Sequence, residues 1–208
     1  MRQAGISAVA LALSTSVFAA DTARLEAGAL AAAESRARRA VMSLAAGPAS
    51  FDTTQAFTIT VAGARLQVLP VRYAPRAPAP VANVEHCALV ILGPDRVQIV
   101  QTVGTGYTET LGCTGLEAIG FVDLDGDGRL DIALIQATLA PPDRYLKTPV
   151  VVRGHGDGDF AVDDTLTAAL DERGGITTIG ALQRAVSQRR AAAPQRKGRD
   201  RAQTPAAR

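Results

Sequence analysis

The stretch Gly120-Phe-Val-Asp-Leu-Asp-Gly-Asp-Gly-Arg-Leu-Asp-Ile-Ala-Leu-Ile-Gln136 packs four carboxylates into nine residues between two apolar runs. Those runs, Ile119 to Val122 and Ile132 to Ala137, have the length and branched side chains of β-strands. Between them Asp123, Asp125 and Asp127 fall at alternate positions, and Gly126 and Gly128 allow the backbone to curl so that the acids converge. Carboxylates held this closely repel one another unless a positive charge sits among them. Calcium is a hard cation that takes six to eight oxygens at about 2.3–2.6 Å, and it suits this pattern. Asp123, Asp125 and Asp127 would bind through their side chains at positions 1, 3 and 5, Arg129 through its backbone carbonyl at position 7, and Asp131 at position 9. The loop is no EF-hand, because position 12 is Leu134 rather than Glu and the flanks read as strands instead of helices.

Strand patterns continue on both sides of the loop. Phe57, Ile59 and Val61 alternate up to a turn at Ala62-Gly-Ala64, and Leu66, Val68 and Val71 return from it. Ala88-Leu-Val-Ile-Leu92 and Val97-Gln-Ile-Val100 flank Gly93-Pro-Asp95, a hairpin signature. Val150-Val-Val152 and Phe160 to Val162 flank a Gly-Asp-Gly turn, in which Asp157 and Asp159 read as turn residues. Pro141-Pro142 marks a loop. The proline-rich Ala74 to Pro80 cannot join a sheet. Helical spacing of Leu25, Leu30, Ala33, Ala37, Val41 and Leu44 predicts an N-terminal helix within 20–47, and 165–172 and 178–188 carry helical character. The predicted fold is α+β: a small antiparallel sheet containing one loop-bearing, blade-like unit, an N-terminal helix and C-terminal helical segments, with a β-rich domain over 51–186.

The 120–136 stretch closely resembles the FG-GAP/VCBS repeat of integrin-type β-propellers and many exported bacterial proteins. Val150-Val-Val-Arg-Gly-His-Gly-Asp-Gly-Asp-Phe160 extends the resemblance weakly, so that one copy covers roughly 119–162. The resemblance implies a strand, a nine-residue calcium loop and a second strand, with Asp123, Asp125, Asp127, Arg129 and Asp131 as metal ligands. A propeller needs about 4–8 blades, and the chain holds no second DxDxDGxxD, so a closed propeller is not expected.

The rest of the chain bears on compartment and partners. Arg2, the apolar run Ile6 to Val17 and the small residues of Val17-Phe-Ala19 read as a cleavable export signal over 1–19. The run is too short for a membrane span, which needs about 20 apolar residues. Cys87 and Cys113 are the only cysteines, and in an oxidising compartment they read as one disulfide. For these two to meet, the chain after Gly104 and Gly106 must fold back rather than extend the meander. The tail 187–208 has seven basic residues against Asp200, and its composition predicts disorder. Without that tail and Arg2 the body is acidic, which favours cations over nucleic acid. His86 and His155 are isolated, and no nucleophile motif or zinc spacing occurs. These features predict a periplasmic or secreted calcium-binding protein with a structural metal, acting on a protein or cell-envelope partner and not as an enzyme. Two other classes fit the same features. One is a periplasmic inhibitor or immunity protein that binds an enzyme. The other is a calcium-dependent hydrolase, which would need an open coordination position beside Asp131.

Overall fold

The computed structural model describes residues 21–76 and 84–199, with side chains as far as 192. The predicted export signal, part of the proline-rich stretch and the end of the basic tail lie outside the described residues. The architecture is α+β, with two antiparallel sheets face to face and helices on both outer surfaces.

The first sheet holds β1 (Thr22–Arg24), β2 (Ser50–Phe51), β3 (Phe57–Val61), β4 (Ala64–Tyr73), β5 (His86–Leu92) and β6 (Val97–Val103). Its order is β1-β3-β4-β5-β6, and β2 shares the β3 side of β4. The second sheet holds β7 (Gly112–Val122), β8 (Asp131–Ala140), β9 (Arg144–Gly154) and β10 (Phe160–Val162), in the order β10-β9-β8-β7. All pairings are antiparallel. The expected strands are present, but they divide between two sheets instead of forming one.

Strand parity builds the layers, because successive side chains point to opposite faces. Leu66, Val68, Leu89 and Ile91 face the sandwich interior, where they meet Ile132, Leu134, Val150, Val152 and Phe160. Their neighbours Leu69, Val71, Tyr73, Ala88, Val90 and Leu92 face outward under helix α1 (Ala27–Val41), which buries Ala33, Ala37 and Val41 against them. Alanines on that helical face let it lie close to the sheet. On the far side, Ala133, Ile135 and Val151 are covered by α2 (Asp164–Arg173) and α3 (Ile179–Arg199) through Leu166, Leu170, Leu182, Ala185 and Val186. With both faces covered, every residue of β5 is buried.

Cys87 and Cys113 are disulfide-bonded, with a Cα separation of 5.6 Å. The chain leaves β6 through Gly104 and Gly106, whose φ values are +92° and +54°, and crosses to the second sheet. The bond therefore ties β5 of one sheet to β7 of the other. Composition predicts disorder from 187, whereas α3 runs on to Arg199.

Candidate metal centre

The acidic loop joins β7 to β8 at one end of the second sheet. Asp123 organises it locally: its Oδ1 accepts from the Gly126 and Asp127 amides at 2.6 and 3.1 Å, and its Oδ2 from Gly128 at 3.0 Å. Gly126 and Gly128 hold φ of +72° and +83°, which β-carbon-bearing residues rarely adopt. Leu124 is buried among the residues packed beneath α2 and α3 and anchors the loop to the body.

Asp131 opens β8 and is 2% exposed. Its Oδ1 accepts from the Gly154 amide at 3.1 Å, and its Oδ2 accepts from the Leu124 amide at 3.1 Å and from Arg153 Nη1 at 2.9 Å. Burial pushes its pKa above the usual carboxylate value, and these donors only partly oppose the rise. Gly154 has to be glycine here, since a β-carbon would collide with the Leu130 carbonyl oxygen.

Asp123, Asp125 and Asp131 each place a carboxylate oxygen within 4.8 Å of the others. Two oxygens on opposite sides of a calcium ion lie at most about 5 Å apart, so this spacing fits the ion. Three acids supply fewer than the six to eight oxygens calcium takes; second carboxylate oxygens, carbonyls or water would complete the sphere. Asp127 lies outside this group. Its Oδ1 accepts from the Arg129 amide at 2.9 Å, and its Oδ2 is 3.7 Å from Arg129 Nε. Arg129, expected to contribute its carbonyl, enters these contacts through its amide and side chain.

Arg153 is the functional residue the sequence reading missed. Its Nη1 lies 2.9 Å from Asp131 and 3.0 Å from Asp125, and its Nε is 3.2 Å from Asp163. Asp163 in turn caps α2 by accepting from the Leu166 amide at 2.8 Å. One guanidinium thus connects the loop, the β8–β9 pair and a helix terminus. Arg190 of α3 lies over Gly126 and adds a second positive charge at the loop.

The fold and site together define a disulfide-bonded double-sheet α+β domain with one acidic loop. No protein-family model matches the chain, and neither a curated protein nor a solved structure matches it. Among the described residues, no helix is long and apolar enough to cross a membrane.

Proposed function

We propose that this chain is an exported calcium-binding protein whose metal is structural, and that the domain acts as a binding module for a protein or cell-envelope partner. The convergence of Asp123, Asp125 and Asp131 on a space of calcium dimensions carries the reading. The strand–loop–strand setting of the acids, between β7 and β8, supports the resemblance to a single FG-GAP/VCBS-type unit. Export is supported by the N-terminal signal pattern and by the Cys87–Cys113 bond, which oxidising compartments favour. A structural role follows from how fully the acids are engaged. Asp123 and Asp131 are bonded on both oxygens to backbone amides or Arg153, so a cation there would lock β7 to β8.

Arg153 favours a second reading, in which its guanidinium alone neutralises the acids and the loop is a metal-free acidic turn. Calorimetric titration of the metal-stripped protein separates the two. The calcium reading expects one ion per chain, with a dissociation constant of about 10⁻⁴–10⁻³ M, as extracellular calcium modules show. Asp125→Ala should abolish binding, because it removes a grouped ligand that holds only one backbone amide. Absence of binding by the wild-type protein at about 10 mM calcium would leave the arginine-held turn as the correct description.

A further inference from the structure

Alternate residues of β4 face the outer surface of the first sheet, because successive side chains point to opposite sides. Under α1 these residues are Leu69, Val71 and Tyr73, all buried. Beside Ala29, in the first turn of that helix, the same face changes character and carries Gln67 and Arg65. Thr58 of β3 pairs with Gln67 and therefore shares their face. A cleft of about 390 Å³ opens over this polar row, walled by Ala29, Arg36, Thr58, Arg65, Gln67 and Pro94. Its volume falls within the roughly 300–1,000 Å³ typical of ligand pockets.

The cleft is basic, and its donors are free. Arg36 is half-buried, and its Nη2 donates to the carbonyls of Gly93, Pro94 and Arg96 at 2.6, 3.2 and 3.2 Å. These bonds fix the guanidinium against the β5–β6 turn but leave its charge without a counter-charge. Among the described residues neither Arg36 nor Arg65 is in an ion pair, and no carboxylate lines the cleft. Arg36 Nε and Nη1, the exposed Arg65 and the half-buried Gln67 and Thr58 side chains make no hydrogen bond among those residues. A partly buried charge is costly without a partner. Two guanidinium forks beside neutral donors match the oxygens of a phosphate group, which arginine binds in bidentate fashion. The bounded, concave shape suits a small molecule better than an extended polyanion, and the space exceeds what a phosphate group alone would fill.

We propose that this cleft binds a small organic phosphate, its phosphate group held by Arg36 and Arg65 with Gln67 and Thr58 donating to the remaining oxygens. The site is separate from the acidic loop, and its test needs no calcium. In NMR titrations of the isotope-labelled full chain, in metal-free buffer at constant ionic strength, phenyl phosphate should move the Arg36 Nε–H and Gln67 side-chain amide signals saturably. Inorganic phosphate should move the same signals and bind more weakly; equal binding would keep the phosphate site and mark the free ion as its occupant. Arg65→Gln should weaken phenyl phosphate at least about fivefold, because a charge-assisted contact is lost. Arg144→Gln removes the same charge from the β8–β9 hairpin of the second sheet and should leave the affinity unchanged, since distant exposed charges are screened. Arg36→Gln should match Arg65→Gln; should it fail to fold, the Arg65 variant still decides, as that side chain supports no contact in the fold. Equal losses from Arg65→Gln and Arg144→Gln, or no saturable response to either phosphate, would overturn the proposal.

Discussion

Asp131 is buried to 2% exposure yet carries three hydrogen bonds, whereas Asp127, four residues earlier, bonds only within its own turn. That contrast sets an ordering among substitutions. Asp125→Ala should remove the calcium response, while Asp127→Ala should weaken it by a few-fold at most, as read by calcium titration of both variants. The alternation of acids was legible in the sequence because carboxylate spacing is a local property. The position of Asp127 was not, because an aspartate beside a turn competes for the nearest amide two residues on. A different residue governs the pH response. His86 is buried, both ring nitrogens lack partners, and its ring packs edge-on to Tyr73 at 5.9 Å. Burial lowers its pKa from the ordinary value of 6.5. The folded chain therefore resists a proton that the unfolded chain accepts, and this contribution is present above pH ~6.5 and is lost as the pH falls towards the depressed folded value. His86→Phe should flatten the fall in unfolding free energy between about pH 7 and 5, a slope worth up to about 1.4 kcal/mol per pH unit for one proton. A variant with the wild-type slope would place the titration elsewhere.

Among the elements, the edge strands β6 and β10 are joined by a side chain in place of a backbone ladder. Gln98 donates to the Phe160 carbonyl at 2.7 Å and accepts from the Phe160 amide at 3.1 Å, as a neighbouring strand would. Gln98→Ala should cost about 1–2 kcal/mol in urea unfolding, the net worth of two hydrogen bonds, and no loss would mean that water replaces them. The hairpins were legible because their turns carry Gly, Pro and Asp. Arg153 was not, although the register that reveals it is simple: Ala140 pairs with Arg144 around Pro141-Pro142, and Ile132 with Val152, which brings Arg153 opposite Asp131. Sequence reading treated that turn as an unspecified loop and so lost the pairing. Helix α3 is a similar case. From Ser187 to Ala192 its side chains are exposed, yet alanine, arginine and glutamine propagate a helix already nucleated by Leu182, Ala185 and Val186. Because Val186 is the last buried side chain described, shortening the chain after Ala192 should leave the melting temperature unchanged within error.

For the whole molecule, four layers (helix, sheet, sheet, helices) let a thinly aromatic chain bury both faces of two sheets. Sequence periodicity pointed to α+β and to most of the strands. It could not divide them between two sheets, since an apolar run such as Ala88-Leu-Val-Ile-Leu92 shows that both faces are covered but not by what. The disulfide links the sheets at one end of β7; the acidic loop joins β7 to β8 at the other and reaches α2 through Arg153 and Asp163. A cation in the loop would thus stabilise the fold globally. The most direct test is the melting temperature of the metal-stripped protein in EDTA and in calcium at about ten times its dissociation constant. Such saturation contributes RT ln 11, about 1.4 kcal/mol, which for a domain of this size raises the melting temperature by about 3–5 °C. The account predicts that rise in the wild type and none in Asp125→Ala; identical melting of the wild type in EDTA and in calcium would contradict it.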